Sequence, residues 1–232
     1  MRLTSPRRIS DRRRDSASNV AGVAAAALRA LLVFFLGLGL LNYAQAGGES
    51  RTILVFGDSL STGYGFDIEK SWVSLLQMRL QDHNPPYSVV NASISGETTR
   101  GGAARIESAV AAHGPRIALV ELGGNDGLRG IGIETTRRNL KKIIETCLSA
   151  GASVLLLAIE LPPNYGQSYT AEFRKIYQSL GALEEVTLVP FFLDGVAGDA
   201  TLMQSDGIHP EAEAQPKLLQ NIWPYLEPLL DN

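Results

Sequence analysis

Two apolar spacings alternate along this chain from residue 52 onward. Short unbroken runs such as Thr52-Ile53-Leu54-Val55-Phe56 read as strands buried on both faces, because a half-buried strand would alternate and a helix needs more length. Comparable runs at 87–91, 117–122, 153–159 and 187–189 predict four more strands. Between them, 71–80, 98–113, 134–150 and 170–180 carry apolar residues at helical spacing. A last helix is expected over 211–229, with Pro210 in its first turn and Pro216 and Pro224 breaking or kinking it. Strands that alternate with helices predict an α/β fold, a parallel sheet of about five strands covered on both faces.

The first 46 residues follow a different pattern. Arg2, Arg7, Arg8, Arg12, Arg13 and Arg14 make a basic start, 31–41 is apolar, and Ala44-Gln45-Ala46 has the small-x-small form of a cleavage site. These three parts predict a signal peptide over 1–46, cleaved after Ala46, followed by a single domain over 47–232 in the periplasm or outside the cell. A membrane anchor is the alternative, but the uncharged run 30–41 falls short of the roughly 20 residues a span requires. Removing seven arginines and two aspartates with this segment leaves 14 basic and 22 acidic residues, a net −8. An acidic domain without a basic stripe is a poor nucleic-acid binder. Cys147 is the only cysteine, so no internal disulfide forms, and its apolar helical neighbours predict a buried thiol.

The first strand stops at Gly57-Asp58, and Ser59 follows at the sheet edge where open α/β sheets bind ligands. Ser59 is therefore a candidate nucleophile, although a helix cap also accounts for a serine there. A serine hydroxyl needs a base within hydrogen-bond reach and a third group to orient that base. His83 lies in a polar helix end, and His113 at a helix C-terminus before Gly114-Pro115. His209 has Asp206 three residues before it and Gly207 between, so a carboxylate can reach one ring nitrogen and leave the other for the serine. By itself Asp206 is equally an ordinary turn aspartate. For a developing oxyanion, Gly96 offers a backbone N–H and Asn125 a side-chain amide, though each also fits a purely architectural part in its loop. No Gly-x-Ser-x-Gly elbow occurs, which excludes the common α/β-hydrolase pattern, and no histidine pair has metal-ligand spacing.

Gly57-Asp58-Ser59-Leu60, Gly96, Gly123-x-Asn125-Asp126 and Asp206-x-x-His209-Pro210 resemble, in order, the four blocks of the SGNH (GDSL) hydrolases. The stretches 91–98, 121–130 and 161–166 are similar to the branch that holds periplasmic multifunctional acyl-CoA thioesterases, also active as lysophospholipases and arylesterases. The resemblance implies a flavodoxin-like three-layer α/β/α sandwich and no cofactor. It also implies Ser59 as nucleophile, His209 as base, Asp206 as its partner, and an oxyanion hole from the Ser59 and Gly96 N–H groups and the Asn125 amide. The expected partner is a small acyl ester or thioester, met by a monomer in transient contact with membrane lipids. A carbohydrate acetyl-esterase and a non-catalytic lipid-binding module are the alternatives. Leu128, Ile131, Tyr165 and Tyr169 are the candidate acyl contacts, with plain loop packing as the alternative. The glycine density of 123–132 predicts a mobile loop that closes with 162–169 over the chain.

Overall fold

The computed structural model describes residues 51–230. The signal peptide expected at 1–46, with its Ala44-Gln45-Ala46 cleavage site, lies outside the described residues. Strands β1 (Thr52–Gly57), β2 (Ser88–Asn91), β3 (Ile117–Glu121), β4 (Ser153–Leu157) and β5 (Val186–Val189) form one sheet in the order β2-β1-β3-β4-β5. Every neighbouring pair is parallel. The three central strands are buried along almost their whole length, which is why they read as continuous apolar runs. The edge strands β2 and β5 are partly open, and they carry Ser88, Asn91 and Thr187.

Among the described residues six α-helices accompany the sheet: α1 (Trp72–Gln81), α2 (Thr99–His113), α3 (Gly124–Leu128), α4 (Ile133–Ser149), α5 (Gln167–Leu180) and α6 (Gln215–Leu230). Helix α4 packs between α2 and α5, while α1 packs against α6. The two groups cover the sheet as the outer layers of a three-layer sandwich. On α4 the buried residues are Thr136, Leu140, Ile143, Ile144 and Cys147, one stripe at helical spacing. Thr98 opens α2, its hydroxyl accepting from the Gly101 N–H, and Gly114 closes it in a left-handed conformation.

The C-terminal helix departs from expectation. Pro210 is not in it: it forms an isolated antiparallel bridge with Met203, and a 3₁₀ turn, Ala212–Ala214, leads into α6. Pro216 sits in the first turn of α6, where a missing N–H costs nothing. Pro224 and Pro228 lie inside the helix without ending it. Both are exposed, as is Gln220, so the carbonyls they deprive of a donor face water. The apolar face made by Leu218, Leu219, Ile222, Leu226 and Leu230 keeps the helix on the sheet.

The glycine-dense stretch after β3 is also not the open loop its composition suggests. Residues 124–128 form α3, and the buried Asp126 takes hydrogen bonds from Thr99 N (2.8 Å) and Thr99 Oγ1 (2.5 Å). The Tyr169 hydroxyl reaches the Gly127 and Ile131 carbonyls at 3.3 and 3.4 Å, and the Tyr165 hydroxyl reaches that of Leu128 at 3.2 Å. Two of the glycines answer to close packing. A Cβ on Gly127 would run into Leu161, and one on Gly123 (φ +118°) would run into the hydroxyl of the buried Tyr177.

The Tyr177 hydroxyl is held at 3.0 Å by the Leu122 carbonyl and cannot swing aside. We therefore expect Gly123→Ala to destabilise the fold by about 3 kcal/mol, the sum of an overpacked core and a side chain at positive φ. Urea unfolding of the variant against the parent checks this.

Candidate active site

The turn that carries Ser59 is held from three directions. Within it, Ser61 N donates to the Asp58 carbonyl (3.2 Å) and Leu60 N to Asp58 Oδ1 (3.1 Å). From α1, the indole of the fully buried Trp72 donates to the Leu60 carbonyl at 3.1 Å, while the Trp72 backbone N–H is itself bound by Gln215 Oε1 of α6. From the end of β2, Asn91 Nδ2 donates to the Ser61 carbonyl at 2.7 Å.

His209 arrives from the irregular stretch between β5 and α6. That stretch is stapled on itself by the Met203–Pro210 bridge, by Gln204 N on the His209 carbonyl (2.7 Å) and by Glu211 N on the Leu202 carbonyl (2.8 Å). Gln204 also ties it to the serine turn, donating from Nε2 to the Tyr64 carbonyl at 2.8 Å. The result is a continuous line across 150 residues of sequence. His209 Nε2 lies 2.8 Å from Ser59 Oγ, and His209 Nδ1 lies 2.6 Å from Asp206 Oδ2. Burial raises the Asp206 carboxyl, but hydrogen bonds from the His209 ring and from the His209 and Ile208 amides outweigh it and bring the pKa down to about 2. Asp206 is thus an anion throughout the neutral range, facing one ring nitrogen. The Tyr64 ring, half exposed, leans on the imidazole with centroids 4.4 Å apart.

Beneath the serine lie two buried carboxyls that periodicity passes over. Asp58 is 2 % exposed, and its Oδ2 accepts from Asn125 Nδ2 at 2.9 Å. Burial pushes it up to about 6, against the lowering effect of the Leu60 N–H, the Asn125 amide and His209. Glu121 ends β3 fully buried, with Oε2 accepting from Ser61 Oγ (2.7 Å) and Asp58 N (3.2 Å). Burial first, and the Asp58 charge second, hold it well above the ordinary carboxyl range. The one sequence signal for Glu121 is a carboxylate inside an otherwise apolar strand.

The candidate oxyanion donors occupy different places. Asn125 borders the same cavity as Ser59 and His209, and with one amide hydrogen on Asp58 its second remains available. Gly96 does not line that cavity; Arg129 Nη2 bridges its carbonyl (3.1 Å) to Asn125 Oδ1 (3.3 Å). The cavity, about 480 Å³, opens beside the serine and is walled by Leu128, Leu161, Phe191, Leu193, Met203 and Ile208 among others. Of the four candidate acyl contacts only Leu128 reaches it. Ile131, Tyr165 and Tyr169 do not, because the two tyrosine hydroxyls are engaged by carbonyls of the 127–131 segment and brace it from behind. Phe191, Leu193 and Met203 escaped sequence reading since they stand in a stretch with neither helical nor strand period. His83 and His113 are remote from the serine line: His83 packs edge-on against Tyr87, and His113 ends α2.

Comparison with known proteins gives the family and the fold. The profile of the GDSL-like Lipase/Acylhydrolase family matches residues 55–215. Esterase TesA of Pseudomonas aeruginosa is 49% identical over 204 residues, covering 88% of this chain and all of that protein. Thioesterase 1/protease 1/lysophospholipase L1 of Escherichia coli is 42% identical over 198 residues, 85% of this chain and 93% of that one. The crystal structure of TesA superposes with a TM-score of 0.75 at 50% identity, covering 77% of this chain and 99% of that one. The fold is that of the SGNH hydrolases.

The raised Asp58 pKa makes a stability prediction. An acid whose folded pKa lies above its ordinary 3.8 disfavours the folded state once pH exceeds that ordinary value. The penalty grows between about pH 4 and 6 and is constant above. Relative to the parent, Asp58→Asn should gain on the order of 2–3 kcal/mol of stability between pH 4 and pH 7. Thermal melts of both proteins across this range test it, and a pH-independent difference would contradict it.

Proposed function

The chain belongs to the GDSL-like lipase/acylhydrolase family and is a serine ester hydrolase; from that premise we propose an exported acyl esterase and thioesterase working through an acyl-enzyme on Ser59. The observation that carries the reading is the Asp206–His209–Ser59 line, 2.6 and 2.8 Å long, at the mouth of an apolar cavity. In this reading His209 Nε2 takes the Ser59 proton as Oγ attacks the acyl carbon. The tetrahedral oxyanion is met by the Ser59 N–H and by the Asn125 amide hydrogen not bound to Asp58, with the Gly96 N–H, from the loop that Arg129 ties to Asn125, as a third donor set back from the cavity wall. On collapse the bond to the alcohol or thiol breaks, and His209 gives that leaving group the proton. Water, deprotonated by His209, then releases the acid and restores Ser59.

An apolar wall of this extent suits a fatty acyl chain better than an acetylated sugar, whose hydroxyls would lose water without gaining partners. The Escherichia coli relative bears thioesterase and lysophospholipase in its name, and acyl thioesters and lysophospholipids are acyl substrates of this kind. Export rests on the basic, apolar and Ala44-Gln45-Ala46 parts of residues 1–46, and it would bring the enzyme to lysophospholipids at membrane surfaces.

Ser59→Ala should abolish hydrolysis of p-nitrophenyl esters and labelling by a fluorophosphonate while leaving the thermal melt unchanged; retained turnover would assign the nucleophile elsewhere. Leu128→Ala should cut kcat/KM for a decanoyl ester by roughly tenfold and for a butyryl ester far less, since one truncated apolar contact is worth about 1–3 kcal/mol. Parallel kinetics on the two esters decide whether this cavity holds the chain.

A further inference from the structure

We propose that Glu121 is a positioning residue for the nucleophile turn, and that it does this as a neutral carboxylic acid. Glu121 ends β3 directly opposite Gly57, the last residue of β1. Its Oε2 receives both the Ser61 hydroxyl and the Asp58 N–H, donors that bracket Ser59 in the chain. The approach is close: a Cβ on Gly57 would meet Glu121 Oε2 at 2.6 Å and Ser61 Oγ at 2.8 Å, so only glycine leaves room for the clamp. From Asp58 the contact continues through that residue's own carboxylate to the Asn125 amide. One side chain thereby sets the serine turn and, at one remove, the amide proposed for the oxyanion.

Its two oxygens are treated unequally. Oε1 is buried and has no hydrogen-bond partner among the described residues. An ionised carboxylate spreads charge over both oxygens and leaves such an atom severely under-solvated, and a group in that position neutralises instead. In the acid form Oε2 is a carbonyl oxygen whose two lone pairs meet two donors, and Oε1 carries an uncharged hydroxyl, which costs far less to bury without a partner than a share of a carboxylate charge. The titratable groups that act on Glu121 are Asp58 on the serine turn and Tyr177 on α5, and both are acids. Neutrality also serves the chemistry, because a second fixed anion beside Asp58 would further oppose the negative charge that develops above the turn.

The inference rests on the ester-hydrolase reading only for the kinetic half of its test. In the infrared difference spectrum of parent minus Glu121→Gln at pH 8, where Asp58 is ionised, a protonated-carboxyl stretch should be lost; loss of a carboxylate band instead overturns the neutral form. With p-nitrophenyl butyrate, Glu121→Gln should stay within about threefold of the parent kcat, whereas Glu121→Met should fall by roughly 10- to 100-fold at similar KM, the cost of a displaced nucleophile. Ser61→Ala, which removes one clamping donor without changing the backbone, should lower kcat several-fold if Glu121→Met does not fold. Unchanged kcat in Ser61→Ala and in any folded Glu121→Met overturns the positioning role, as does a Glu121→Gln as impaired as Glu121→Met. A parent protein that neither turns over the ester nor takes up a fluorophosphonate would sink the hydrolase reading, and the infrared result would still decide the state of Glu121.

Discussion

The site depends on the side-by-side pairing of β1 and β3. With Gly57 level with Glu121, the two strand ends lie together at the place where the sheet order turns back on itself. The chain leaves β1 toward one outer layer and β3 toward the other, so a crevice opens between them without any special device. Ser59 follows the first strand and Asn125 the second. Their separation of 66 positions in sequence is cancelled by a ladder of backbone hydrogen bonds, and a shift of register would move both side chains at once.

That pairing leaves the base unplaced, and a different kind of structure supplies it. The segment after β5 has no period of its own and is held by turn hydrogen bonds along it, by the Met203–Pro210 bridge, and by Gln204, which serves the His209 carbonyl on one side and the Tyr64 carbonyl on the other. The same segment contributes Phe191, Leu193 and Met203 to the cavity. Positioning of the base and shaping of the acyl wall are therefore properties of one stretch. A change in its packing acts on both.

Polar burial follows a similar economy. Asp206, near the surface, gathers three donors and is held low; Asp58 and Glu121, shut away from water, are driven up. Three carboxyls within one site thus carry different protonation tendencies through solvent access, donors and neighbouring charge. The anion stands beside the imidazole, where a positive charge forms, and the most deeply buried acid stands under the turn, where a negative one does.

Local chemistry made much of this readable beforehand. Apolar runs marked the five strands, unbroken in β1, β3 and β4 because burial on both faces leaves no room for alternation, and the helical stripe of α4 was visible in the spacing of Leu140, Ile143, Ile144 and Cys147. Asp206 and His209 stood out since a carboxylate three residues from a histidine can reach its ring within one turn. The tertiary structure alone decided the rest. Tyr165 and Tyr169 pass for cavity aromatics until their hydroxyls are seen on the carbonyls behind Leu128. Gly123 and Gly127 pass for slack until Tyr177 and Leu161 are seen against them. Pro224 passes for a helix breaker until its turn is seen to face water. The reason is common to all three. Sequence period reports which face of an element is buried, whereas what that face meets is set by residues tens of positions away, and so are the walls of a cavity and the ionisation of an acid such as Glu121.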